Sequence, residues 1–146
     1  MTTKESILAT LYKFTARRAG LEFANYGDIT AYRAEQRSNT KDRHHAEALL
    51  AYVARRDSIT AADIIKASEG AFSGRLSITT DGDKVSIDYC TGQYFPTEYR
   101  RAVCAVAASA IWNRLREDAG QGATGDDIRR AARRELGNSL ARRWFN

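Results

Sequence analysis

Residues Asp88–Leu115 read DYCTGQYFPTEYRRAVCAVAASAIWNRL, and the reading of this stretch decides the fold. An alternating strand passes into an aromatic loop, then into the only proline of the chain, Pro96. Thr97 follows, a residue type suited to capping a helix. From Ala102 to Trp112 almost every residue is apolar. At ~100° per residue, Tyr99, Val103, Val106 and Ala110 share one side of that helix, and Cys104, Ala108, Ile111 and Leu115 share another. A helix apolar on two sides is surrounded by other elements. Glu98–Asp118 is therefore expected to be the central helix, with Ala102–Leu115 devoted to burial alone and its alanines allowing neighbours to come close.

The residues before it have a period of two. Leu76 and Ile78 alternate with Ser77 and Thr79, and Val85, Ile87 and Tyr89 alternate with Ser86 and Asp88. Asp81-Gly82 between them is a tight-hairpin signal. An isolated hairpin is at best marginal, so its apolar face must lie on helices, and the following central helix is the expected partner.

Upstream, Thr2-Thr-Lys-Glu5 reads as a capping box ahead of Ile7, Leu8, Leu11 and Phe14, a helix expected to end near Arg18. Leu21–Gly27 reads as a turn or a short extended piece, and Asp28 as the cap of a short helix through about Arg37. Thr40 opens a helix over Lys41–Arg56 with Ala46, Leu49, Leu50 and Val53 on its apolar side. Thr60-Ala-Ala-Asp63 is a second capping box, for a helix stopped by Gly70.

Downstream, Gly120–Gly125 is a connector, and Thr124-Gly-Asp-Asp127 opens a last helical region. There Ile128, Ala132 and Leu136 face one way, and Arg129, Arg130, Arg133 and Arg134 the other. A continuous helix would put Leu140 among those arginines. Gly137-Asn138 is expected to break it, with Ser139 capping a final turn that buries Leu140 and Trp144. The fold class is then α+β, mainly α: a single-domain helical bundle, residues 1–146, around a central Ala-rich helix with one antiparallel β-hairpin.

The chain has 146 residues, 43% of them hydrophobic and 28% charged, which fits a globular domain and excludes a disordered one. The Ala102–Trp112 run is shorter than the ~20 apolar residues that span a bilayer. The start, MTTKESILAT, is already amphipathic, so a cytoplasmic protein without a membrane partner is expected. Cys90 and Cys104 are not in a C-x-x-C setting and read as buried, reduced thiols. The net charge is +5, carried mostly by arginine, the better fork for phosphate and carboxylate. An alanine- and arginine-rich composition is also what a GC-rich genome writes by default.

No complete catalytic or metal motif is present, and no cofactor is expected. His44 and His45 are adjacent and, on a helix, point ~100° apart, so they cannot hold one ion together. Asp81, Asp83 and Asp88 lack the later ligands of a calcium loop, and an Asp88/Glu98 acid pair has no supporting motif. Gly70–Gly74, Thr91–Gly92 and Gly120–Gly125 match no phosphate-binding fingerprint, although Thr91–Thr97 passes from a strand to a helix N-terminus and could receive an anion.

Two surfaces combine the residue types that bind nucleic acid. Tyr94, Phe95, Tyr99, Arg100 and Arg101 set rings beside cations, the pattern of single-strand binding. The plainer alternative puts Phe95 and Tyr99 in the core and leaves Arg100 and Arg101 solvated. Arg129, Arg130, Arg133 and Arg134, extended by Arg142 and Arg143, form the second surface, whose plain alternative is a solvated face with an Asp126–Arg130 pair.

The expected function is a small basic, non-enzymatic binding protein that engages nucleic acid or a nucleoprotein through these arginine faces. The alternatives are a protein–protein inhibitor or adaptor of phage or mobile-element type, such as an inhibitor of a host defence complex, and an enzyme acting on a phosphorylated small molecule or nucleotide. Alanine-rich helices are also compatible with a homodimer.

Overall fold

The structure, a computed structural model, describes residues 2–16, 40–70, 76–89 and 96–146. Within them the chain forms helices α1 (Thr3–Ala16), α2 (Thr40–Arg55) and α3 (Ala61–Gly70), strands β1 (Leu76–Asp81) and β2 (Lys84–Tyr89), and helices α4 (Pro96–Ala119), α5 (Gly125–Leu136) and α6 (Asn138–Trp144). The fold is mainly helical with one antiparallel hairpin, as the hydrophobic periods imply. The expected turn or short extended piece at Leu21–Gly27, the helix over Asp28–Arg37, and Cys90, Tyr94 and Phe95 lie outside the described residues.

Three helix starts are fixed by the same local device. Thr2 N–H donates to Glu5 (2.9 Å), and Glu5 N–H donates back to the Thr2 hydroxyl (3.2 Å). Thr60 and Asp63 repeat the exchange at α3, and Thr124 and Asp127 at α5. Each box satisfies backbone donors that the first turn of a helix leaves free. At α5 hydrogen bonding from the Thr124 backbone N–H, then from its side chain, also holds the Asp127 carboxyl below its ordinary pKa.

The centre is α4. Pro96 is its first residue, where the missing N–H costs nothing, so Thr97 falls inside the first turn instead of capping it. Both expected apolar sides are buried: Tyr99, Val103, Val106 and Ala110 on one, Cys104, Ala108, Ile111 and Leu115 on the other. Helices α1, α2, α3, α5 and α6 all touch α4. One narrow stripe stays open, with Arg101 and Ser109 exposed and Ala105 and Trp112 half-buried. The expectation that Ala102–Leu115 serves burial alone is corrected here. The described helices that touch α4 leave this side of it uncovered.

The hairpin pairs Ile78 with Ile87 and Leu76 with Tyr89. Asp81 pairs with Lys84, so Gly82-Asp83 forms the loop, and Gly82 takes the positive φ of 59° that the tight turn needs. Leu76 and Ile78 are buried, but mainly against α3, while β2 lies along α1 and β1 only borders α4. The hairpin's main support is thus α3 and α1, a correction to the expected seat on the central helix. The side of α4 that could have received it is taken by α2 and α3.

Gly137 separates α5 from α6 at φ 91°, ψ 160°, a conformation open to glycine and strained for other residues. It occupies the N-cap position itself, and Ser139 lies within α6, so the expected Ser139 cap is not formed. The change of direction turns Leu140 and Ala141 inward, and Phe145 is buried where Trp144 was expected. Trp144 remains half-buried at the edge.

Candidate binding site

The arginines of the C-terminal region separate into groups by what lies beside them. Arg129 and Arg130 pair with Asp126 and Asp127 one turn earlier (2.9 and 2.8 Å). The expected Asp126–Arg130 ion pair is replaced by these two, although Arg130 also donates to the Asp126 carbonyl (3.4 Å). Among the described residues, Arg133, Arg134 and Arg142 have no carboxylate within ion-pair distance. Arg129, Arg133 and Arg142 converge around a cleft of about 230 Å³ between α5 and α6, with Asn138, Ala141, Phe145 and Asn146 completing its lining. Arg130 and Arg134 project from α5 outside that cleft.

A second depression adjoins the first and shares Arg129, Phe145 and Asn146 with it. This groove, about 340 Å³, runs along the open stripe of α4. Ala105, Ala108 and Ser109 form its floor, and Trp112, Trp144 and Phe145 its walls. The Trp112 and Phe145 rings are nearly parallel (19°), with centroids 6.4 Å apart. The Arg129 guanidinium stands 5.8 Å from the Trp112 ring centre, within cation–π range, at the boundary of the two depressions. Gly125 permits this placement, because a Cβ there would meet Arg129 Nη1 at 3.2 Å.

Arg143 faces the other way. It forms an ion pair with Asp42 in the first turn of α2, and Arg101 of α4 pairs with the same carboxylate at 3.4 Å. Asp42 is only 2% exposed, while the Arg101 and Arg143 side chains are 47% and 33% exposed. The Cys104 thiol donates to the Asp42 carbonyl at 3.9 Å. Burial pushes that thiol up to about 12, so it stays protonated and unreactive at neutral pH. Beside this junction Trp144 Nε1–H donates to His45 Nδ1 at 3.1 Å. An indole N–H can only donate, so the His45 ring is neutral, with Nδ1 as acceptor. Burial, then the Arg143 and Lys41 charges, hold its pKa below the usual value. His44 is exposed.

The other sequence-predicted residues are dispersed. Tyr99 is 2% exposed and belongs to the core. Arg100 is buried at 7% exposure, with no partner for its Nε among the described residues, so the solvated alternative fails for it. Neighbours enclose α4 from its first turns, and only Arg101 of that pair reaches the open stripe. No three metal-binding side chains converge among the described residues. No described helix is long and apolar enough to cross a membrane.

Sequence reasoning missed Asp42, Trp112, Trp144 and Phe145 as parts of one neighbourhood. Asp42 reads as an ordinary acid favoured by a helix N-terminus. The three rings are brought together only by the fold, and their one local signal is the lone Trp112 at the end of an alanine-rich run. No family model, curated protein or solved structure matches the chain.

Proposed function

We propose that the chain is a non-enzymatic binding protein that engages nucleic acid, or a nucleoprotein, through the arginine cleft between α5 and α6. One observation carries this reading. Arg133 and Arg142, without carboxylate partners among the described residues, face the same cleft as Arg129. Guanidinium forks match phosphate oxygens in two-point contacts. Converging cations repel each other unless an anion joins them, and a phosphodiester is such an anion. Arg130 and Arg134 add to the field that would attract a polyanion.

The test is a titration of fluorescent DNA and RNA oligonucleotides at ~50 and ~200 mM salt. Binding through a few phosphates should weaken by about tenfold or more between them, because bound phosphates release condensed counterions. Salt-independent affinity, or no binding at ~50 mM, contradicts the reading. The tryptophan-walled groove also favours a second reading, a protein partner, since tryptophan and arginine are common interface anchors. Capture of a host protein complex that survives nuclease treatment would support it.

A further inference from the structure

Resting on the nucleic-acid reading, we infer that the ligand is a strand with an unpaired base, which lies in the groove on α4 while its phosphate lies in the adjoining arginine cleft. The central helix leaves one stripe open. Along it the side chains shrink to Ala105 and Ser109 and then rise to Trp112, which leaves a flat-floored slot. Trp144 and Phe145 of the C-terminal segment border it as well, with Phe145 stacked on Trp112. The slot is lined mainly by alanine and aromatic side chains, with Ser109 in its floor, and cations stand at its border: Arg129 over Trp112, with Arg133 and Arg142 beyond it.

A planar ring covalently joined to an anion matches that pairing of surfaces. Apolar walls would shed water against the base, and the guanidiniums would neutralise its phosphate. Asn146, shared by both depressions, supplies an amide able to reach polar edges. Duplex DNA cannot use the arrangement well. Its bases are stacked on one another and present only their edges in the grooves, so nothing flat is free to enter a concave slot. A duplex would engage the arginines and leave the groove empty.

The chain's two tryptophans both line this groove, which makes intrinsic fluorescence a direct reporter of its occupation. The experiment compares three oligonucleotides of equal length: a single strand, the same sequence as a duplex, and a single strand of abasic sites. Affinity is read by anisotropy and tryptophan emission in parallel, with the full chain and with Ser109→Leu. Ser109 is exposed, so leucine there fills the groove without disturbing the core.

The normal strand should bind about tenfold or more tightly than the abasic strand and change tryptophan emission, and Ser109→Leu should remove both differences. Equal affinity for all three strands, with emission unchanged, overturns the base-in-groove inference and leaves phosphate binding standing. Absence of binding by any strand at low salt overturns the underlying reading as well. An emission change that appears only with a nuclease-resistant protein partner assigns the groove to that partner and also overturns the inference.

Discussion

Two arginine clusters lie on either side of α6, and they do opposite things. At the Asp42 junction, Arg101 and Arg143 close on a carboxylate that is almost fully buried. In the cleft between α5 and α6, Arg133 and Arg142 face a space with no carboxylate in reach among the described residues. Arg142 and Arg143 are neighbours in sequence, yet they fall into different clusters because successive helical residues point ~100° apart. The fate of an arginine here is set by the nearest acid, not by the local density of positive charge. One cluster is internal wiring that ties α2, α4 and α6 together; the other holds arginines without a carboxylate partner among the described residues, the charge that the proposed function assigns to a ligand.

The largest effect expected on stability comes from breaking the wiring. Asp42→Ala should cost about 2–3 kcal/mol in urea denaturation. That is below the ~3–5 kcal/mol of a fully buried pair, because Arg101 and Arg143 can turn partly to water. Loss of less than about 0.5 kcal/mol would mean that the junction contributes little and would dissolve the contrast.

Gly137 determines which cluster Arg142 and Arg143 join, since it sets the direction of α6 relative to α5. Gly137→Ala should destabilise by about 1–3 kcal/mol, because alanine is strained at φ 91°, ψ 160°. Unchanged stability would show that α6 can be reached by another backbone path.

Trp144→Phe removes the indole donor to His45 and should cost about 1 kcal/mol, a fall of roughly 2–4 °C in Tm. The burial of His45, with the Arg143 and Lys41 charges beside it, gives stability a pH dependence of definite sign. Folding lowers the His45 pKa from 6.5, so the unfolded chain binds more protons as pH drops through that value. Stability should therefore be greatest above about pH 6.5 and decline below it, until the lowered folded-state pKa is passed. His45→Asn, which keeps an acceptor near the Nδ1 position, should flatten the decline below about pH 6.5. A profile as steep as that of the unaltered chain would assign the dependence to other groups.

The smallest effect on stability is expected in the open cluster. Arg133→Ala with Arg142→Ala should lower stability by no more than about 0.5 kcal/mol, as for exposed side chains without a carboxylate partner among the described residues. A larger loss would mean that these arginines also serve the fold.

The frame of this molecule is legible in its sequence because it is written locally. The Thr60/Asp63 and Thr124/Asp127 boxes, the alternation around Gly82 and the break at Gly137 each depend on residues a few positions apart. The site is less legible because it depends on distant meetings. Trp112 and Phe145 stack across more than thirty residues of chain, and Asp42 meets Arg101 across fifty-nine. The run Ala102–Leu115 shows how the two levels differ. Its composition announces a buried helix, and nearly all of it is buried. Which narrow stripe stays open is decided by where α5 and α6 come to rest, and that stripe is the floor of the groove.

The division of the arginines is tested most directly by the salt dependence of single-strand affinity in two variants, Arg133→Ala/Arg142→Ala and Arg101→Ala. The first should lower the slope of log K against log[salt] by about one to two and leave Tm in place, since each lost phosphate contact removes roughly one unit. The second should lower Tm and leave the slope unchanged. A slope that falls with Arg101→Ala and persists in Arg133→Ala/Arg142→Ala would contradict the assignment of wiring to one cluster and ligand to the other.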